Sequence, residues 1–203
     1  GLEDVDFSLK LHKNGYKTLL ASNALLFHHE SSTRVKTKDY ADNDKHNYNV
    51  FWSKWGNYLS KNLLLDKIHD GKFFTQKKLK ITIIDENYQD NSDFLSKISK
   101  DFNDLGFTVE LISDLKNLYI GNSSDILLSL SLDYDLENMV ARDDIVRVFI
   151  SQNGEDNPKG YDIVVSEENK DYDSKYNFVI KDNFVKEFLD NLEDILMKSD
   201  GFL

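Results

Sequence analysis

The stretch Leu79-Lys80-Ile81-Thr82-Ile83-Ile84 decides the fold of the larger part of this chain. It is a short, nearly continuous apolar run, which is typical of a strand buried on both faces of a parallel sheet. An amphipathic helix is predicted shortly after it, at residues 94–105, with Gly106 as its stop. A strand followed by a helix in this way predicts a parallel sheet with helices on both faces.

The same alternation continues along the chain. Further strands are predicted where short runs are rich in Ile, Leu, Val and Phe, at residues 107–112, 125–130, 145–150, 162–165 and 178–180. A short helix is predicted at 136–141 and a closing helix at 184–197. The closing helix has apolar residues at helical spacing, namely Phe184, Phe188, Leu192, Ile195 and Leu196.

The first 70 residues follow a different plan. A first helix is predicted at residues 2–13, and Asn14-Gly15 is its stop signal. Two short strands, a polar loop and a second helix are predicted next, at residues 16–21, 24–27, 28–38 and 39–65. Gly56 is expected to interrupt the second helix. The predicted organisation therefore has a first domain, a linker and a Rossmann-like α/β domain, at residues 1–70, 71–78 and 79–199.

Composition and charge exclude several function classes. The 203 residues are 40% hydrophobic and 30% charged, which is ordinary for a folded protein, and the formal net charge is −11. A surface this acidic repels phosphate backbones and anionic lipids, so we expect neither nucleic acid nor an anionic membrane surface as a partner. There are no cysteines, which excludes disulfides, thiol nucleophiles and cysteine metal sites.

The sequence shows no membrane or export signal. No apolar run approaches the roughly 18 residues that span a bilayer, and no secretory signal opens the chain. The absence of cysteine fits a reducing compartment. The predicted location is therefore the cytoplasm, extending to the inner face of the membrane. Gly1 has no Met before it and a charged helix follows at once, so we expect an excised fragment.

Acidic residues open the first helix, in the sequence Leu2-Glu3-Asp4-Val5-Asp6-Phe7. On a helix, Asp4 lies about 100° around from Glu3. The helix dipole favours carboxylates at its N-terminus and helps to keep them ionised, and such a carboxylate can deprotonate a hydroxyl group as general base. The alternative is structural, because acids in a first helical turn often only cap the helix.

A second polar segment, Phe27-His28-His29-Glu30-Ser31-Ser32-Thr33-Arg34, follows the predicted hairpin. Imidazole, carboxylate and hydroxyl groups at a strand end can bind a divalent cation, and Arg34 can hold a phosphate by two parallel hydrogen bonds. Neighbouring side chains on a strand point to opposite sides, so at most one of His28 and His29 is expected to face a given site. The alternative is a solvated loop without a ligand.

Together these segments resemble a known family. An acidic pair that opens a helix, then Gly15-Tyr16-Lys17, a small hairpin and a His-His-Glu-Ser-x-Thr-Arg run occur in this order in the large inverting family 2 of nucleotide-sugar glycosyltransferases, which have the GT-A fold. The later Phe51-Trp52-Ser53-Lys54-Trp55-Gly56 is similar to the aromatic helix that often follows. The resemblance covers about residues 1–70 and implies the C-terminal part of a GT-A domain, made of helices plus a hairpin.

The resemblance also implies roles for single residues. Asp4 corresponds to the catalytic base that activates the acceptor hydroxyl, and Glu3 corresponds to its acidic neighbour. His28 follows the strand where the family places a metal-binding histidine, and His29 stands one position further on. The implied cofactor is Mg²⁺ or Mn²⁺, bound in the full-length enzyme.

The resemblance implies substrate contacts and a missing half. Ser31, Thr33 and Arg34 match the family's Ser-x-Ser-Arg run, with Thr33 in place of the second Ser and Val35 where Gly often follows. The family places its nucleotide-binding strands and an Asp-x-Asp metal motif before the acidic pair. In this chain every Asp-x-Asp triplet separate from the acidic helix comes after it, so a fragment that is inactive alone is expected.

Residues 79–199 resemble the N-terminal Rossmann-like half of a GT-B transferase. The likeness is carried by element order and by strands such as Asp125-Ile126-Leu127-Leu128 and Tyr161-Asp162-Ile163-Val164-Val165-Ser166. The loop after the first strand has no glycine, so a dinucleotide-binding fingerprint is absent. Asp85 is interpreted as a strand-end or helix-cap residue. No residue of this half is assigned a catalytic role.

The leading interpretation is a metal-dependent, hexosyltransferase-type enzyme of bacterial polysaccharide and cell-envelope biosynthesis. It would transfer a sugar from a nucleotide-sugar donor to a surface glycan acceptor with inversion. The alternative is a non-catalytic Rossmann-like scaffold or interaction module, in which the acidic pair is only a helix cap. Aromatic residues such as Trp52 and Trp55 are expected to favour self-association through residues 1–70.

Overall fold

The structure is a computed structural model of the chain. It describes residues 2–19, 21, 24, 38–69, 78–87, 89–113, 124–130, 145–152 and 158–198. The chain divides into two compact units, Gly1–Gly56 and Asn57–Leu203. The division predicted from the sequence, at residues 1–70, 71–78 and 79–199, stays a prediction.

Helix α1 (Glu3–Lys13) confirms the predicted first helix. It ends at Asn14-Gly15, as the sequence indicates. Gly15 has a φ of 78°, which a residue without Cβ adopts at little cost, and its N–H donates to the His12 carbonyl at 3.0 Å.

The strand predicted after α1 is wrong at residues 16–19, which are not in a strand. Tyr16 and Leu19 are exposed there, at 64% and 90%, so no burial of apolar side chains stabilises an extended backbone. Residues 21 and 24 are also outside any strand. The rest of the predicted hairpin lies outside the described residues.

Helix α2 (Lys38–Ile68) is the longest element and contains the predicted second helix. Gly56 does not interrupt it, contrary to the prediction. A glycine inside a helix costs about 1 kcal/mol of stability. Burial of Trp55 (3% exposed), before Gly56, and of Leu64 (8% exposed), after it, offsets this cost. Among the described residues no helix, α2 included, is both long and apolar enough to cross a membrane.

Six parallel strands form the sheet of the second unit, in the order β2-β1-β3-β4-β5-β6. They are β1 (Lys80–Ile84), β2 (Thr108–Ile112), β3 (Ile126–Ser129), β4 (Val146–Ile150), β5 (Ile163–Ser166) and β6 (Tyr176–Val179). Each lies within two residues of its predicted position, so the predicted parallel, Rossmann-like α/β sheet is confirmed. Because β2 and β3 flank β1 on opposite sides, the strand order reverses there, which is where doubly wound sheets commonly bind ligands.

Helices α3 (Ser92–Asp104) and α4 (Phe184–Lys198) pack on one face of this sheet. Both match their predictions within two residues. Leu95, Ile98 and Phe102 of α3 are at most 1% exposed, as is Phe188 of α4. Gly106 ends α3 with a φ of 79°, as predicted.

The opposite face of the sheet is also apolar. Leu127, Phe149 and Val164 are at most 1% exposed and pack in a second cluster that includes Tyr161 and Tyr172. The central strands are therefore buried on both faces, which explains why their sequences are continuous apolar runs. The short helix predicted at residues 136–141 lies outside the described residues.

Two aspartates hold the amino edge of the sheet in the same way. Asp125 precedes β3, and its Oδ2 accepts the backbone N–H of Lys80 at 2.9 Å. Asp162 precedes β5, and its Oδ2 accepts the backbone N–H of Arg147 at 2.8 Å. Asp125 thus caps the first amide of β1 and Asp162 the second amide of β4, and Asp125 also pairs with Lys67 of α2.

Candidate functional site

Asp6, to which the sequence assigned no role, ties α1 to α2 within the first unit. Its carboxylate accepts hydrogen bonds from Lys54 Nζ at 2.5 Å and from Trp55 Nε1 at 2.7 Å, and it pairs with Lys10 Nζ at 2.6 Å. These three donors, Lys10 first, hold the pKa of the Asp6 carboxyl well below its usual range. In return, the Asp6 carboxylate raises the pKa of Lys10.

Asp4, the predicted catalytic base, lies on another side of α1. Two helical residues span about 200°, so Asp4 points away from the contacts that Asp6 makes with α2. Asp4 is exposed, and its Oδ1 accepts the N–H of Val5 at 2.9 Å. That amide belongs to the first turn, where N–H groups have no partner within the helix. The carboxylate is therefore both accessible and oriented by its own helix.

Glu3, the predicted neighbour of the base, lies at a groove between α1 and the first part of α2. The groove has a volume of about 300 Å³, and Asp6, Asn47 and Lys54 also line it. Asp4 does not line it. The structure therefore separates the acidic pair, because Glu3 is on the side of Asp6 while Asp4 is on the open side of α1.

The three donors of Asp6 lead to a testable titration. We expect the carboxyl group of Asp6 to titrate well below the ordinary pKa of about 3.9. In Lys54→Met the pKa of Asp6 should be higher than in the wild-type protein but still below the ordinary value, because Lys10 and Trp55 still donate to the carboxylate. The measurement is a carbon NMR titration of the Asp carboxyl groups in both proteins.

The lowered pKa of Asp6 makes the stability of the first unit depend on pH. A depressed folded-state pKa stabilises the α1–α2 contact above the unfolded pKa, and this contribution is lost as the pH falls through the folded pKa. Lys45→Met, at an exposed position of the same helix within the first unit, is the control and should leave the titration of Asp6 unchanged, because Lys45 is not among the groups that shift this pKa. An ordinary pKa for Asp6 in the wild-type protein would contradict the network.

The remaining predicted site residues, His28, His29, Ser31, Thr33 and Arg34, lie outside the described residues. Within the described part of the chain, no group of three or more His, Asp or Glu side chains is arranged to hold a metal ion. The Mg²⁺ or Mn²⁺ site and the substrate contacts implied by the resemblance therefore stay predictions.

In the second unit, polar side chains meet at the carboxyl edge of the sheet. Asp85 directly follows β1 and is 3% exposed. Its Oδ1 accepts the N–H of Asn87 at 3.0 Å, and its Oδ2 accepts the side-chain amide of Asn91 at 2.8 Å. Gln152, after β4, donates to Asn91 Oδ1 at 2.9 Å. Asp85 thus orders the turn into α3 and links it to the end of β4.

A cavity of about 320 Å³ lies next to this network, at the carboxyl ends of β4, β5 and β6. Its volume is at the lower end of the range for small-molecule sites. Apolar walls come from α3, α4 and the strands, including Phe94, whose ring meets Phe184 edge to face at 5.7 Å. Its charged lining is mixed, with Lys97, Lys181, Asp101, Glu167 and Asp182.

The N-terminus of α4 borders this cavity but is already occupied. Glu187 accepts the backbone N–H groups of Lys181, Asp182 and Asn183 at 3.0–3.3 Å, and these bonds lower the pKa of its carboxyl. Asn183 Oδ1 accepts the N–H of Lys186 at 3.1 Å. The amides that lead into α4, and the Lys186 amide of its first turn, are therefore bound by the protein's own side chains, and the negative charge of Glu187 disfavours an anion at this helix start.

Comparison with known proteins adds no relative. No protein-family model matches the sequence, and no curated protein and no solved structure is significantly similar to it. The glycosyltransferase resemblance therefore depends on the residues quoted above.

Proposed function

We propose that this chain is part of an inverting nucleotide-sugar glycosyltransferase, to which it contributes the catalytic base Asp4. The observation that carries the proposal is the difference between two aspartates of α1. Asp6 is bound by Lys10, Lys54 and Trp55, whereas Asp4 is exposed on another side of the same helix. Asp4 is also the residue that the family resemblance assigns to the base.

The reaction would be a single displacement. The Asp4 carboxylate takes the proton of an acceptor hydroxyl while that oxygen forms a bond to the anomeric carbon of the donor. The bond from this carbon to the diphosphate breaks on the opposite side, which inverts the configuration and releases the nucleoside diphosphate. Glu3, about 100° around α1 from Asp4, would contact the acceptor.

The remaining predicted residues would bind the metal ion and the substrates. His28, with His29 beside it, would help to hold Mg²⁺ or Mn²⁺, which neutralises charge on the leaving diphosphate. Ser31, Thr33 and Arg34 would bind substrate. The acceptor proposed from the family is a bacterial surface glycan, and the proposed location is the cytoplasm or the inner face of the membrane.

The test is Asp4→Asn in the complete enzyme. We expect the turnover of sugar transfer to fall by about 100-fold or more, because general-base catalysis typically contributes this much. Asparagine keeps the size of the side chain, so α1 should remain folded. The measurement is kcat for release of nucleoside diphosphate, with acceptor and donor at saturation.

Asp42→Asn is the matched control, because Asp42 is also an exposed acid on a helix of the first unit. Its turnover should stay near that of the wild type. Unchanged turnover in Asp4→Asn would remove Asp4 from the mechanism. Thermal shift with nucleotide sugars separates the proposal from the scaffold alternative, since clear stabilisation by a UDP- or GDP-sugar counts against a pure scaffold.

A further inference from the structure

A groove on the helical side of the second unit is distinct from the cavity at the carboxyl edge. It lies where the end of α2 meets the end of α3 and the exposed side of α4, and its volume is about 580 Å³. We call it the α2–α3–α4 groove. Its apolar lining has a buried floor, Phe107, Val185 and Leu189, and a more exposed part, Ile68 and Leu105. Leu105 is 50% exposed, so part of this apolar surface faces the opening.

Acidic side chains stand on both banks of this groove. Asp101 and Asp104 lie on α3, and Asp190 and Glu193 lie on α4. Among the described residues that line the groove, Lys186 is the one basic side chain. Glu193 is hydrogen-bonded to His69 at 2.9 Å. In the part of the chain that the structure describes, Asp101, Asp104 and Asp190 make no ion pair, and the groove lining as a whole carries more acidic than basic side chains.

The two features together select one kind of occupant. The apolar surface favours an apolar side chain, and the net acidic lining favours cations on either side of it. An anionic ligand, including nucleic acid or an anionic lipid, would be repelled. A small cation alone would leave the exposed Leu105 uncovered. The arrangement matches the mode in which an amphipathic helix lays its apolar face into a groove between helices.

We propose that the α2–α3–α4 groove binds a basic, amphipathic segment of a partner protein. Leucine-like side chains of that segment pack against Leu105 and Ile68, and its Lys or Arg side chains face Asp104 and Asp190. The proposal is independent of transferase activity, because the groove contains none of the residues assigned to catalysis.

The test uses a fluorescein-labelled peptide of leucine and lysine, long enough for about four turns of amphipathic helix. Binding to the whole chain is followed by fluorescence anisotropy at low salt and at about 0.3 M salt, where surface charges are strongly screened. We expect saturable binding that weakens with salt, and at least about tenfold weaker binding to Asp104→Lys/Asp190→Lys, since two attractive contacts become repulsive. Leu105→Ala should weaken binding several-fold.

Asp171→Lys/Asp173→Lys is the matched control, because it changes the net charge by the same amount at exposed positions outside the groove. It should change the affinity by less than about threefold. Equal losses in the two double variants would show that only the overall charge of −11 is sensed, and the proposal would fall. The proposal would also fall if the peptide does not bind at low salt. It would fall as well if sedimentation shows that the chain is a dimer and that Leu105→Ala makes this dimer dissociate.

Discussion

Replacing Phe188 by alanine is expected to lower the free energy of unfolding by about 3–5 kcal/mol. Phe188 is 0% exposed. Its ring lies 6.5 Å from that of Phe102, 6.1 Å from that of Phe178 and 5.9 Å from that of Phe184, the last in a stacked arrangement. These rings come from α3, β6 and α4, so alanine would leave a cavity where three elements meet, and the surrounding backbone cannot collapse into it fully.

The measurement is urea unfolding followed by far-ultraviolet circular dichroism. Tryptophan fluorescence is unsuitable, because both tryptophans, Trp52 and Trp55, are in the first unit. Met197→Ala on the same helix is the control, since Met197 is 66% exposed and should change stability by no more than about 0.5 kcal/mol. If Phe188→Ala does not fold, Phe188→Leu should still cost about 1 kcal/mol. If Phe188→Ala lowers the free energy of unfolding by less than about 1 kcal/mol, this packing is contradicted.

The sequence predicted the second unit well because its signals are local. An apolar run such as residues 79–84 has no alternative to burial on both faces, and α4 carries a strong helical apolar pattern. The strand order β2-β1-β3-β4-β5-β6 was not predicted, because it is set by contacts between distant residues. Only parallel pairing followed from the strand–helix alternation.

The errors in the first unit have physical reasons. Local propensity makes Gly56 a break, but burial of its neighbours along α2 outweighs a cost of about 1 kcal/mol. Residues 16–19 have strand-like composition but bury no apolar side chain, so composition alone misleads. In both places a tertiary environment, which one sequence does not display, decides the outcome.

The site was predicted only in part for a similar reason. The sequence shows acids at positions 3, 4 and 6 of one helix but not which of them meets α2. The spacing of Asp6 and Lys10 is a recognisable i, i+4 ion pair, whereas the contacts with Lys54 and Trp55 are 48 and 49 residues away. Asp4 was selected by resemblance, and the structure adds that it is exposed.

The repeated pattern Asp-Ile-Leu/Val-Leu/Val, at residues 125–128 and 162–165, was a signal whose structural meaning the sequence did not reveal. It places an aspartate where it accepts an amide at the start of the neighbouring strand. The two aspartates differ in charge environment. Asp125 is 8% exposed and pairs with Lys67, whereas burial is the main influence on Asp162 and raises the pKa of its carboxyl despite the N–H of Arg147.

Asp125→Ala is therefore expected to cost about 3–5 kcal/mol, and Asp162→Ala only about 1–2 kcal/mol. Both variants leave one strand amide without its acceptor. Asp125→Ala also leaves Lys67, whose side chain is 19% exposed, without its counter-charge. Asp162→Ala removes a carboxylate whose charged form is disfavoured by burial, which offsets part of the loss. The measurement is urea unfolding of both variants at pH 7.

The asparagine variants separate charge from hydrogen bonding, because asparagine keeps an oxygen acceptor for the strand amide. Asp125→Asn should still be clearly destabilised, while Asp162→Asn should be close to the wild type at pH 7. A raised folded-state pKa means that wild-type stability falls as the pH rises through it, so Asp162→Asn should gain on the wild type over that range. Equal costs for Asp125→Ala and Asp162→Ala would show that the pair with Lys67 contributes nothing measurable, since the capped amide is then the whole effect.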